Sequence, residues 1–384
     1  MVNKKLKVGN VPNLRFSEFV EEWKRLTIGN ILTIGSGRDY KHLSAGIIPV
    51  YGTGGYMISV SAYLHDGESV CIGRKGTINK PLYLNEKFWT VDTLFYTHSF
   101  KKVLPKFVYN IFEQVNWLKY NEASGVPSLS KTIIEQIEVN IPEINEQQKI
   151  ASFLSLIDER IQTQNKIIRE LNVLKTINTG RMFSGQLKFK KNNGDNYLDW
   201  TTRKLKDVTS LVNKRNKGNE KLTVYSINNK LGFVPQNEQF DGIDSEDRGY
   251  DIKLYKVIDK NIFAYNPARI NVGSIGYSGE LENIIISSLY VCFKTDDSVS
   301  DNFLLHYLKS DLFNKEVLRN VEGGVRDYLF YENFARIKFM LPSIEEQHRI
   351  ANFLSSLDKK IDIETQLLQK LEEQKKFLLQ QMFV

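Results

Sequence analysis

Two stretches of the chain carry apolar side chains at alternating spacings of four and three residues. In the first they are Ile150, Leu154, Ile157, Ile161, Ile168 and Leu171; in the second, Ile350, Leu354, Leu357, Ile361, Leu368 and Leu371. This heptad spacing predicts a long helix whose apolar stripe is best buried against another helix. The stretches also match each other. Residues 141–161 read IPEINEQQKIASFLSLIDERI and residues 341–361 read LPSIEEQHRIANFLSSLDKKI, without a gap, at a shift of 200 residues. Pro142 and Pro342 suit a helix opening, where the missing N–H costs little. Glu146/Glu346, Gln147/Gln347, Ala151/Ala351, Phe153/Phe353 and Asp158/Asp358 are identical pairs, and both seams are interrupted at one place by Gln164 or Glu364. A period this long exceeds that of a solenoid and indicates a duplicated unit of domain plus helix.

Beside the seams lie two blocks rich in β-branched and aromatic residues, in short runs broken by Gly, Asn and Asp. The pattern predicts strands, for example Phe88 to Tyr96 and Ile284 to Phe293. Short helical patterns follow, Leu104 to Leu118 and Asn302 to Leu318. A smaller repeat precedes each block: Leu14-Arg15-Phe16 leads to Trp23 and Leu26, and Leu187-Lys188-Phe189 to Trp200 and Leu205. The predicted order is an N-terminal segment over 1–26, a domain over 27–140, a central helix over 141–185, a connector over 186–205, a second domain over 206–340 and a C-terminal helix over 341–384. The expected fold class is mixed α/β (α+β). Two similar globular domains are separated by two long antiparallel coiled-coil helices, in a cyclic repeat with an approximate two-fold axis.

Charge adds a partner to this picture. Lys and Arg outnumber Asp and Glu by 52 to 45, for a formal charge of +7 and a pI near 9.0. That balance favours a polyanion, because each phosphate neutralised by Lys or Arg releases a condensed counterion. Two cysteines, Cys71 and Cys292, form no disulfide framework and no zinc motif, which fits a reducing cytosol. With no apolar leader and no run of about 20 apolar residues, a cytoplasmic protein without membrane contact is expected.

The helix openings IPEINEQQKIASFL and LPSIEEQHRIANFL, with the Arg15-Phe16/Trp23 and Lys188-Phe189/Trp200 segments, resemble the specificity subunits of type I restriction-modification systems. IGRKGTIN (72–79) is similar to that family's Gly-Arg-x-Gly-Thr-Ile strand-loop, and YNPARINVGSIG (265–276) to its Tyr-Asn-Pro-x-Arg-Ile counterpart. Ser124-Gly125-Val126 and Gly323-Gly324-Val325 stand at corresponding places before Ile137 and Ile337. The resemblance implies two target recognition domains, each reading half of a split sequence in double-stranded DNA. It further implies helices that set the distance between the halves and bind two modification subunits. Those partners would use S-adenosylmethionine to methylate adenine N6, and restriction (motor-nuclease) subunits would use ATP and Mg; this chain would carry no cofactor and no metal.

Catalytic motifs are missing from the residues. Asn266-Pro267 continues as Ala268-Arg269, without the second proline and the aromatic of an adenine methyltransferase loop. No Gly-x-x-x-x-Gly-Lys-Ser/Thr loop occurs, Gly35-Ser36-Gly37 is a poor cofactor turn, and the five histidines lack His-x-x-x-His spacing. No catalytic residue is therefore assigned. Candidate DNA contacts are Arg38, Arg74, Lys75 and Thr77 in the first block, and Lys214, Arg215, Lys217, Arg269, Asn271 and Arg326 in the second. Arg pairs bidentately with guanine and Asn with adenine, while Lys near glycine suits a phosphate. Two rival readings, a self-contained DNA-modifying enzyme and a coiled-coil scaffold with no DNA role, are opposed by the missing motifs and by the two basic, diverged blocks.

Overall fold

The computed structural model describes residues 10–236, 251–321 and 328–384. It forms two compact units, Met1–Lys166 with Gln366–Val384, and Ile167–Thr365. A central helix (Ile144–Phe183) and a C-terminal helix (Ile344–Met382) each contribute one end to each unit.

The first unit contains β1 (Lys24–Thr27), β2 (Thr33–Ser36), β3 (Ala45–Gly52), β4 (Gly55–Val60), β5 (His65–Gly73), β6 (Leu82–Thr90), β7 (Leu94–His98) and β8 (Glu138–Ile141). β2 to β7 form one sheet in the order β2-β7-β5-β6-β3-β4, and β1 pairs separately with β8. The run Phe88 to Tyr96, expected as one strand, is two strands joined by a turn over 91–93. The turn frees the Thr93 carbonyl to accept the amides of Arg74 and Lys75 at 2.8 and 3.3 Å.

The second unit repeats this plan with β9 (Thr201–Lys204), β10 (Thr209–Val212), β11 (Thr223–Asn228), β12 (Gly232–Pro235), β13 (Lys256–Ile258), β14 (Phe263–Tyr265), β15 (Ile275–Tyr277), β16 (Ile284–Ile286), β17 (Val291–Thr295) and β18 (Lys338–Leu341). The order β10-β17-β14-β15 matches β2-β7-β5-β6. β16 pairs in parallel with β11 as β6 does with β3. The single strand β6 thus corresponds to β15 and β16 together, and its interruption divides one sheet into two. Ile284 to Phe293, also expected as one strand, breaks between β16 and β17, where Tyr290 N–H turns back to Ser287 O. The helical stretch from Asn302 is likewise two helices, Asp301–Leu308 and Asp311–Asn320; Ser310 Oγ accepts Phe313 N–H and caps the second.

In each unit the start of one long helix packs with the end of the other, so the two run antiparallel there. Ile150, Leu154 and Ile157 share a core with Leu378, Leu379, Met382 and Phe383, and Ile350 and Leu354 with Met182 and Phe183. Leu371 is also buried, whereas Ile161, Ile168, Leu171, Leu357, Ile361 and Leu368 are half-buried. Gln164 and Glu364, which interrupt the seams, are both buried. Asp158 and Lys375 meet at 2.5 Å in the first unit; Asp358 and Lys175 form the same ion pair in the second.

The repeated Glu-Gln pair explains why the helix openings resisted change. Gln147 Oε1 accepts from Leu104 N–H at 2.9 Å, and its Nε2 donates to Lys102 O at 3.1 Å and Pro142 O at 2.9 Å. Gln347 makes the equivalent three bonds, to Ser300 N–H at 2.7 Å, Ser298 O at 3.1 Å and Pro342 O at 2.9 Å. Each buried amide ties the loop before a domain helix to the turn that opens a long helix. Replacing Gln347 by Leu leaves an N–H and two carbonyls unpaired, and is expected to cost about 2–4 kcal/mol in chemical unfolding of the full chain. Gln148→Ala, at an exposed neighbour, is expected to stay within about 0.5 kcal/mol.

His306 packs on the C-terminal helix, with Nε2 2.9 Å from Ser355 Oγ and Nδ1 3.9 Å from Asp358. Burial pushes its pKa down to about 4, helped by Lys175 and Lys309 and opposed by Asp358. The imidazole is neutral in the fold, whereas the unfolded chain takes up a proton below about pH 6.5. Stability should therefore fall as pH drops from about 6.5 to about 4, by on the order of 3 kcal/mol. His306→Gln should flatten that part of the pH–stability curve; an unchanged slope would show that His306 titrates normally.

Candidate nucleic-acid interface

The connection after β5 is held by its backbone and exposes its charges. Leu129 N–H donates to Arg74 O at 2.9 Å and Gly76 N–H to Pro127 O at 2.8 Å. A Cβ on Gly73 would lie 2.1 Å from the Thr77 carbonyl oxygen, and Gly76 has φ of +94°, so the tight reversal requires both glycines. The side chains of Arg74 and Lys75 are left exposed at a groove of about 600 Å³, with Lys131, Ser36, Ser128 and Ser130 also on its walls. The Arg74 guanidinium lies 5.9 Å from the Phe95 ring centroid. Lys131 is 3.6 Å from Glu135, but neither Arg74 nor Lys75 has a carboxylate partner among the described residues. Unneutralised cations fixed beside hydroxyl groups suit a phosphate or a base edge.

The second unit carries its basic loop at the same point of the topology, between β14 and β15. Arg269 N–H donates to Asn266 O at 3.0 Å and Ser274 N–H to Arg269 O at 3.1 Å, closing a short loop. Leu329 N–H bonds to Pro267 O at 3.1 Å, as Leu129 does to Arg74 O. The shift of 200 between those leucines identifies Pro267, not Arg269, as the counterpart of Arg74. Arg269 faces a groove of about 460 Å³ shared with Asn266, Ser274, Ser287, Tyr225 and Tyr290.

The remaining candidates are more scattered. Arg38 and the Lys214–Lys217 cluster follow β2 and β10, again equivalent positions. Arg38 is exposed, but Lys214 is ion-paired with Asp259 at 2.9 Å. Arg215 and Lys217 are exposed around the buried Asn216, whose side chain organises the loop through Glu220. Thr77 is half-buried, and Asn271 is exposed on a single 3-10 turn. Arg326 lies outside the described residues. Lys131 also lines the groove without standing out in the sequence; its one signal was its place five residues after Ser124-Gly125-Val126. Gly35 and Gly37 have packing reasons, because Cβ atoms there would strike the Tyr96 ring and the Val91 carbonyl.

Two copies of one α/β frame, each with its basic loop at the same point, define a bipartite recognition protein built by duplication. Residues 20–173 and 197–373 each match the type I restriction modification DNA specificity domain, and the chain belongs to that family. It is 25% identical over 337 residues to the type I restriction enzyme MjaVIII specificity subunit of Methanocaldococcus jannaschii, covering 82% of this chain and 75% of the relative. A putative type I restriction enzyme specificity subunit of Haemophilus influenzae is 21% identical over 355 residues, with 88% and 87% covered. The crystal structure of the type I restriction-modification S subunit from M. genitalium shares the fold, with a TM-score of 0.60 over 97% of this chain and 99% of that one at 14% identity.

Arg74→Ala and Arg269→Ala are each expected to weaken binding to the DNA target by about 1–3 kcal/mol. Lys214→Ala, at an ammonium already neutralised by Asp259, should cost less than about 0.5 kcal/mol. Titrations of target duplex at several salt concentrations separate the three. Equal losses at all three sites would remove the distinction drawn between them.

Proposed function

We propose that this chain is the DNA sequence-specificity subunit of a type I restriction-modification complex. It reads a split target, one half with each domain, and holds the modification subunits. The observation that carries this reading is the placement of two different basic loops, Arg74–Asn79 and Asn266–Ser274, at one topological point of a duplicated frame. A shared frame keeps the geometry of recognition, and unlike loops give each half its own sequence. The helices would act as the spacer: Glu146 to Thr179 runs on the order of 50 Å at 1.5 Å per residue, about 15 base pairs of B-DNA.

The chain would not be catalytic by itself. Two modification subunits would bring S-adenosylmethionine for adenine N6 methylation, and restriction subunits would bring ATP and Mg for translocation and cleavage, all in the cytoplasm. Among the described residues no helix is long and apolar enough to cross a membrane.

The test is an exchange of residues 27–140 for the equivalent domain of another specificity subunit, followed by sequencing of methylated DNA from cells that also carry the modification subunit. One half of the methylated motif should change and the other should stay. A change in both halves, or methylation by the purified chain alone, would contradict the proposal.

A further inference from the structure

Glycines around the first basic loop fall into two kinds. Gly55 and Gly76 have φ of +102° and +94°, a region that L side chains rarely adopt, and Cβ atoms on Gly37 and Gly73 would lie 1.9 and 2.1 Å from a carbonyl oxygen. Gly54 and Gly125 have neither reason. Neither has φ in the left-handed region, and among the described residues nothing lies within 4 Å of a Cβ built on either. Such a glycine costs conformational entropy on folding and gains no packing from it; in a loop beside exposed cations it leaves bare backbone that another molecule can approach closely.

Both belong to loops that meet the Arg74–Lys75 loop at Gly76. Gly54 is in the turn between β3 and β4, whose Thr53 Oγ1 lies 3.7 Å from where a Cβ on Gly76 would be. Gly125 is in the loop that lends Ala123, Val126 and Ser128 to the groove wall, and whose Pro127 carbonyl accepts Gly76 N–H. Bare backbone on two loops beside cations without carboxylate partners among the described residues fits a phosphodiester strand better than a small anion, because the glycines belong to separate loops.

We propose that Gly54 and Gly125 are points at which the sugar-phosphate backbone of bound DNA runs against the polypeptide, with Lys75 neutralising it and Arg74 left to the base edges. This rests on the reading of the chain as a DNA-specificity subunit. A side chain at either glycine would hold the duplex away without disturbing the fold. Phosphates carry no sequence information directly, so the loss should be alike for target and unrelated DNA.

The experiment uses the full chain assembled with its modification subunits, and a duplex bearing the motif found methylated in cells. Gly54→Leu and Gly125→Leu should keep the parent unfolding midpoint and lose about tenfold or more in affinity for target and non-target duplex alike. Gly180→Ala, at a helical glycine that also has nothing within 4 Å, should bind like the parent. If a leucine variant is unstable, Gly54→Ala and Gly125→Ala give the same comparison with a smaller loss. Parent-like binding of both duplexes by these variants would overturn the proposal, as would a loss confined to one base pair of the target. A parent complex with no preference for its own motif would instead overturn the functional reading.

Discussion

A single buried amide joins each half of this protein. Gln147 and Gln347 must satisfy an N–H and two carbonyls at once, in a place where water is excluded, and no other side chain of that length presents a donor pair and an acceptor together. The bond set fixes where the long helix starts relative to the domain helix before it. From there the direction of the long helix, the seating of Ile150 or Ile350 in the domain core and the arrival of the other helix's end follow. A duplicated chain can change its loops freely while this joint is kept, because little else sets the frame's geometry so locally.

The glutamate beside it shows how the copies diverged without losing the joint. A buried carboxylate needs donors around it. In the first unit Glu146 accepts from Arg15 Nε at 2.7 Å and Nη2 at 2.8 Å. In the second, Glu346 accepts from the Trp200 indole N–H at 2.8 Å and Phe189 N–H at 3.2 Å, and Lys188 instead lies 3.7 Å from Asp199. The acid is constant and the donors are exchanged. Trp23, which stands where Trp200 does, has no partner for its indole N–H among the described residues of the first unit.

Much of this frame was legible in the sequence, because duplication printed it twice. The heptads, the helix openings and the segments before each block were visible as repeats. The breaks at 91–93 and after Ile286 were not, since both lie in runs whose apolar content reads as continuous strand; only the hydrogen bonds of Thr93 and Ser287 reveal the turns. The candidate site was legible as residue types but not as a surface. Arg74 and Lys75 stood out between glycines, whereas Lys131 joins them only through folding of a segment more than fifty residues away. Lys214 looked as free as Arg269, and its pairing with Asp259 depends on a strand distant in sequence.

The shift of 200 also pairs Asp158 with Asp358 and Lys175 with Lys375, so the two ion pairs between the long helices are one interaction drawn twice. Their surroundings differ. Lys375 also meets Glu113 at 2.6 Å and lies 5.5 Å from the Tyr109 ring centroid, whereas Asp358 faces His306. A buried ion pair is weak evidence for stability, because desolvation offsets most of the attraction; its better-attested use is to specify pairing and register. Here a register error would set Asp158 or Lys375 against an apolar seam position and leave a charge buried without its partner. In the first unit the pair therefore acts on which alignment the helices accept more than on how tightly they hold it, whereas the partly exposed Lys175–Asp358 pair of the second is screened by solvent.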